Sequence, residues 1–512
     1  MDAAGRTRSI EHAGVPGSGT ISVQAVLGNA GPESTDSEAQ TPSRRVHAFK
    51  RIPQAGDLVE VAHQRSNPVR QDVSVQLHWH HIIWQMQDPR SWQSVETRDS
   101  LIHELANVSS TLIGKFQGKA GEVARLLQGQ FLAPHMDRRY IDDHFRNKGF
   151  PQMQALLQIV DSGVPVDVSG TGNLDEALRY GNHASAVGHD EEVSQLIFEE
   201  IRLGRILIAH KAMAHRVHNL RISPLAYITS PSKSRLILDL SFGEGGNNED
   251  PSGVNGDTNF AAAPGVRLGE ILPRVLERVC GLRQKFGPNS PILIAKMDVK
   301  AAYRQLQVEL DKAAMLSYVF RDYICVDFRV PFGWRSSSGW WSIPASAIAW
   351  SHNHTCPDSA LILPQALTIA KDIKSAISDH LRMLGFQRSI NSPVLSAKKL
   401  TDWDTVMEVL GFSIDTQSMR MSIPQRKISE MQELFAEWPQ SRNTASVREV
   451  LSLAGKLRHF CNVVRAGKFF VWRLTKMTGL DHRRFEDFNA PLRHGSRRVQ
   501  IKAEFHADLN WW

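Results

Sequence analysis

Residues 291–308 read P-I-L-I-A-K-M-D-V-K-A-A-Y-R-Q-L-Q-V. The apolar run Ile292–Ala295 is too short for a helix and rich enough in Ile for a buried strand. It ends on one carboxylate, Asp298, with an aromatic, Tyr303, a few residues on. A carboxylate closing a buried strand is costly unless a cation meets it. A divalent metal carrying a triphosphate suits oxygen ligands of this kind. The plainer alternative is a loop cap or helix N-cap, which such an Asp often supplies.

Working outward, the sequence after this stretch predicts a hairpin from Met315–Phe320 and Tyr323–Val330, turning at Arg321-Asp322. The turn P-F-G-W-R-S-S-S follows from Pro331, then a helix through Ile348. Ala366–Leu384 reads as an amphipathic helix. Val409–Ile414 and Met419–Ile423 read as a second hairpin, and Lys427–Trp438 and Val447–Lys476 as helices. Upstream, Leu225–Thr229 and Arg235–Leu240 form a hairpin with Lys233 and Arg235 near its tip, and Val266–Phe286 is helical. Ser100–Leu127 and Glu191–Ala214 carry apolar residues at a 3.6-residue period and read as helices. The contiguous His78, His80 and His81 beside Trp79 lack helical metal-site spacing and read as packing or surface residues. Gly170-Thr171-Gly172 follows no strand and takes no phosphate role.

The first 60 residues are rich in Gly, Ser, Ala, Pro and Thr and bury too little to order themselves, which predicts a disordered leader. The 512 residues suffice for two to four domains, and 42% hydrophobic content is ample for folded cores. Net charge is +7, and the surplus is local. Residues 441–512 hold 14 Lys and Arg against 6 Asp and Glu. That bias fits polyanion binding, and equally a solvated helix face. Cys280, Cys325, Cys356 and Cys461 match neither a metal-site spacing nor a disulfide framework. With no secretory apolar region and no run of about 20 apolar residues, the expectation is an intracellular protein, cytoplasmic or nuclear, without a membrane span.

Four pieces lie in one order: S-P-S-K-S-R-L-I-L-D-L-S, K-M-D-V-K-A-A-Y-R-Q-L, V-P-F-G-W-R-S-S-S, and V-L-G-F-S-I-D-T with S-I-P-Q-R-K-I. Together they resemble the reverse transcriptase family, specifically the retroelement polymerases of eukaryotic genomes. The resemblance covers roughly Ile222 to Leu474. It implies an α+β polymerase right hand: a mostly helical region at 61–220, fingers and palm at 221–425, and a basic helical thumb or connection at 426–512. It implies RNA or DNA template-primer and deoxynucleoside triphosphates as partners, and Mg²⁺ or Mn²⁺ as cofactor. Two such ions clamp the attacking and leaving oxygens of nucleotidyl transfer. The resemblance makes Asp298 a catalytic metal ligand, with the backbone carbonyl of Val299 as another. Tyr303 then lies beneath the incoming sugar, where a bulky ring clashes with a 2′-hydroxyl. Lys233, Arg235, Phe332 and Gly333 face the nucleotide, and Arg465 and Lys468 meet backbone phosphates. A core aromatic, a surface hairpin and an exposed basic face remain the structural alternatives.

The chain departs from the pattern at the second carboxylate motif. The family has an aromatic-x-Asp-Asp turn, but residues 338–409 contain no Asp-Asp. Asp358 lies between prolines, Asp372 and Asp379 belong to the expected helix, and Asp402 and Asp404 read as caps of the next one. The Tyr140–Asp143 sequence Y-I-D-D lies far upstream and reads as a solvated helical or loop segment. One carboxylate and one carbonyl leave two divalent ions under-coordinated, so impaired catalysis is expected. A non-enzymatic nucleic-acid-binding protein of retroelement origin is the alternative. The final H-A-D-L-N-W-W resembles the segment that precedes a ribonuclease H domain.

Overall fold

The computed structural model describes residues 23–27, 69–127, 136–146, 149–170, 172–230, 233–243, 253–265, 271–296, 298–355, 396, 399–479 and 496–512. The helix expected at Ala366–Leu384 and Asp358, Asp372 and Asp379 lie outside them.

The N-terminal half holds two strands and three long helices, with shorter helices between them: β1 (Val23–Leu27), α1 (Val69–Met86), α2 (Val95–Lys115), α3 (Asp190–Arg202) and β2 (Ile206–His210). The Ser94 side chain caps α2 by accepting from Thr97 N. Its apolar stripe of Leu101, Ile102, Leu105, Val108, Leu112 and Ile113 is buried. The helix expected to run from Glu191 to Ala214 stops early. Arg205 N donates to Glu200 O and Gly204 N to Ile201 O, which closes α3. Ile206–His210 then pairs along the strand Tyr323–Asp327, because its β-branched residues suit a strand buried on both faces.

The hairpin of β3 (Leu225–Ser230) and β4 (Lys233–Leu238) forms as read, in antiparallel register from Leu225↔Leu238 to Ser230↔Lys233. Next come α4 (Ile271–Phe286), β5 (Ile292–Lys296), β6 (Ser317–Phe320) and β7 (Tyr323–Asp327). Strands β6 and β7 turn at Arg321-Asp322, and the sheet order is β2-β7-β6. A strand from the expected helical region therefore completes a sheet of the expected fingers and palm. One apolar core runs continuously from Trp79 to Ile348 across residue 220.

The chain continues through α5 (Ser337–Thr355), β8 (Val406–Val409), β9 (Phe412–Asp415) and β10 (Arg420–Ser422). Asp402 and Asp404 precede a strand and not a helix. Asp404 exchanges backbone hydrogen bonds with Ile294 of β5, at 2.7 and 3.0 Å. That contact ties the β8–β9–β10 sheet to β5 and α4 in a second core containing Ile292, Ile294, Val409 and Phe412.

The C-terminal unit comprises α6 (Gln425–Ala436), β11 (Thr444–Ser446), α7 (Val447–Phe460), α8 (Gly467–Lys476), β12 (Arg498–Gln500) and α9 (Ala503–Trp511). Ser446 and Glu449 form a reciprocal capping box at the start of α7. The single helix expected over Val447–Lys476 is broken at 461–466. The break lets Val450, Leu453 and Leu457 face Val471 and Leu474 in a third core, which one straight helix could not do.

Part of the leader is ordered, against the expectation of disorder throughout. Strand β1 pairs antiparallel with β5, Val23 opposite Lys296 and Leu27 opposite Ile292. Its sequence, V-Q-A-V-L, is the apolar run within the Gly- and Ser-rich stretch, and strand pairing satisfies its backbone.

Candidate functional site

Asp298 lies two residues beyond β5 and is buried, with 5% of its surface exposed. One carboxylate oxygen, Oδ2, meets the Lys399 Nζ at 2.6 Å. The other, Oδ1, is buried and makes no hydrogen bond. An orphaned buried oxygen of this kind marks a place where a donor or cation belongs. The backbone carbonyl of Asp298 accepts from Ser396 N at 2.8 Å, so Ser396 and Lys399 both meet the residue that follows the strand end. Val299 beside it is also buried. Lys399 was not a candidate from sequence: S-A-K-K-L reads as an ordinary basic surface run, and nothing local to it points to Asp298.

Five residues further on, the chain makes a short 3₁₀ turn at Tyr303–Gln305. The Tyr303 ring lies 5.3 Å from the Phe332 ring, centroid to centroid, with the planes at 46°. Burial raises the Tyr303 phenol above its ordinary pKa. The turn bearing Phe332 is held from below by residues 253–260. The Asn255 Nδ2 donates to Gly333 O at 2.8 Å, and Trp334 Nε1 donates to Thr258 Oγ1 at 3.0 Å. Gly333 sits at φ +107, and a Cβ there would lie 2.3 Å from the Leu238 carbonyl oxygen of β4. The close backbone approach that this glycine permits is thus to the β3–β4 hairpin.

Arg304, between Tyr303 and Gln305, is buried in a charge network that sequence inspection did not find. Its guanidinium contacts Glu200 at 2.6 Å and Asp327 at 2.5 Å. Arg205 adds a second contact to Glu200 at 3.0 Å. Burial alone would raise the Glu200 carboxyl, but Arg304 and Arg205 outweigh it and hold the group at about 2. Burial, with Arg205 and Arg304 close by, pulls Arg329 down to about 9. The network fixes α3, β7 and the turn carrying Tyr303 to one another.

On the β3–β4 hairpin, Arg235 is exposed and stands opposite Ile228. Lys233 opens β4, and its side chain lies outside the described residues. Arg465 precedes α8 and Lys468 lies in its first turn, both exposed. The structure therefore brings Tyr303 to Phe332 and Asp298 to Lys399. Among the described residues, no hydrogen bond or ion pair joins Arg235, Arg465 or Lys468 to either pair. The upstream Y-I-D-D segment is helical, and Asp142 is engaged by Arg138 and Arg146.

A cavity of about 250 Å³ lies elsewhere, lined by Asn173, Tyr180, Arg221, Phe242 and Val254 among others, and contains none of the predicted site residues. Among the described residues, no group of three or more His, Cys, Asp or Glu side chains could hold a metal ion. Also among them, no helix is long and apolar enough to cross a membrane.

No protein-family model matches the chain, and no curated protein matches it. Among solved structures, it is similar to a foamy viral protease-reverse transcriptase in complex with double-stranded DNA. The identity is 12% and the TM-score 0.43, over 74% of this chain and 60% of that one. A second structure of the foamy viral protein, with an RNA/DNA hybrid, matches at 12% identity and TM-score 0.42, over 74% of this chain and 46% of the other. The chain thus spans under two thirds of the length of either. At this distance the likeness assigns no residue and no activity.

Proposed function

We propose that this chain is a reverse transcriptase-like, nucleic-acid-binding protein of retroelement origin, in which nucleotidyl transfer is impaired. In this reading the chain forms a right hand of fingers, palm and thumb, and template-directed DNA synthesis was the ancestral chemistry. The observation that supports it is the state of Asp298. A carboxylate at the end of a buried strand keeps one oxygen unpaired, which suits a cation, while a lysine of the same chain neutralises the other.

Two divalent ions at such a site need several carboxylate oxygens around them. The described residues supply one carboxylate and the Val299 carbonyl, and residues 338–409 contain no Asp-Asp pair. That donor set does not fit a two-metal centre. The residues around it keep binding roles. Tyr303 packed against Phe332 presents a bulky wall to a sugar. Arg235 on the hairpin, with Lys233 beside it in sequence, places positive charge toward phosphates. Arg465 and Lys468 do the same on the C-terminal unit.

The test is primer extension on an RNA template with purified protein and Mg²⁺ or Mn²⁺. The expected result is template-primer binding without extension above background. Robust extension abolished by Asp298→Asn would overturn the impairment. The Asp298–Lys399 ion pair also favours a second reading, a binding protein without catalysis. Its signature is nucleic-acid affinity that survives chelation of all divalent metal and falls steeply with salt.

A further inference from the structure

Helix α8, sequence G-K-F-F-V-W-R-L-T-K, buries Val471, Leu474 and Thr475 against α7 and α9. Its outer face is unusual in composition. Phe469 is 57% exposed and Trp472 is 50% exposed, one helical turn apart. Their ring centroids are 6.3 Å apart, with planes at 31°. Cations interleave with them. Arg465 and Lys468 precede Phe469, and Lys476 follows Trp472, all three exposed. The Lys476 ammonium lies 5.1 Å from the Trp472 ring, and the Arg473 guanidinium 5.6 Å from the Phe469 ring. Helix α8 itself carries no acidic residue. The acidic groups on the neighbouring α9 are Glu504 and Asp508, and Asp508 is already paired with Arg473 at 3.1 Å.

We infer that this face is a stacking ridge for single-stranded nucleic acid, with Phe469 and Trp472 receiving bases and Arg465, Lys468 and Lys476 holding the phosphates beside them. Single exposed aromatics are ordinary. Two neighbouring rings flanked on both sides by unacidified cations match a polymer that carries flat apolar faces and negative charge at alternating points. An apolar protein surface would have to desolvate three cations to reach the rings, at a cost it does not recover. A duplex hides its base faces inside its own stack, whereas a single strand offers them. The inference rests on the nucleic-acid-binding part of the proposed function and names the form of nucleic acid taken. It requires no polymerase chemistry.

The test uses the whole chain in a chelator, so that no divalent metal contributes. Fluorescence anisotropy is read on labelled single-stranded DNA and RNA of about 20 nucleotides, and on a hairpin duplex of the same sequence, at several salt concentrations. Phe469→Ala and Trp472→Ala should each weaken single-strand binding by about tenfold and leave the salt slope unchanged. Trp472→Phe should restore most of the loss. Lys468→Gln and Lys476→Gln should each shallow the log–log salt slope by about 0.7. Both rings are half exposed, so thermal unfolding of the variants should match the unaltered chain. Two results overturn the inference: ring variants that hold single strands within about twofold of the unaltered chain, or ring variants that weaken duplex binding as much as single-strand binding. Robust primer extension with the ridge intact would count against the impairment alone. Unaffected ring variants in a chain that still binds nucleic acid would count against the ridge alone.

Discussion

Arg304 is committed before any ligand arrives. Its guanidinium bridges Glu200 and Asp327 in a buried site, and it sits next to Tyr303 in the chain. Removing Arg304 leaves the buried Asp327 without its guanidinium partner, while Glu200 keeps Arg205. Arg304→Met should therefore cost about 3–5 kcal/mol in urea unfolding. The double change with Asp327→Leu should recover part of that, because Glu200 keeps Arg205 and no buried carboxylate is left without a cation. The partner pairs also explain why the network was invisible in the sequence. An Arg after an aromatic reads as a solvated residue, and its burial depends on a glutamate 104 residues upstream. The strand that leads to Asp298 was legible, because its pattern is local. Lys399 was not, since it reaches Asp298 only through the fold. Lys399→Met should strengthen Mn²⁺ binding about tenfold, read by loss of the free-ion electron paramagnetic resonance signal. Unchanged Mn²⁺ affinity would show that the lysine does not compete at Asp298.

At the level of single elements, the readings that rested on local turn chemistry hold. The β3–β4 and β6–β7 hairpins form in the expected places, with Arg321 at φ 50 in the turn. The readings that failed were those in which one period ran across a boundary. Ile206 and Ile208 continue the helical spacing of α3, yet they are equally an all-apolar strand, and pairing with β7 decides. Likewise the apolar residues of α7 and α8 share one helical phase, but they gain more burial by folding back on each other. Helix α1 carries its own pH signature. Burial lowers the His80 imidazole from 6.5 to about 4. The unfolded chain therefore takes up this proton near pH 6.5 while the folded chain resists it down to about pH 4. Stability from this residue is present above pH 6.5 and lost as pH falls toward 4. Denaturant midpoints measured at pH 7.5 and pH 5 should differ, and His80→Gln should shrink the difference. An equal drop in the variant would place the acid sensitivity elsewhere.

At the scale of the whole molecule, the buried apolar side chains of the described residues gather into three cores, and their borders differ from a division by sequence texture. The change from helical to strand patterning near residue 220 suggests a boundary, but Trp79 and Ile348 belong to one continuous core because β2 crosses it to reach β7. Long-range pairing of that kind has no local signature, and neither does the seating of β1 along β5. The C-terminal unit, by contrast, packs α7, α8 and α9 around an apolar core of Leu453, Leu457, Leu474 and Phe505. What closes that block is the pairing of Thr444–Ser446 with Arg498–Gln500. During synthesis, the emerging α7 and α8 must wait for residue 500 before their enclosing strand pair can be made. For that interval their apolar faces are open to chaperones and to self-association, so the rate at which a ribosome passes residues 477–500 helps set how much of the chain matures.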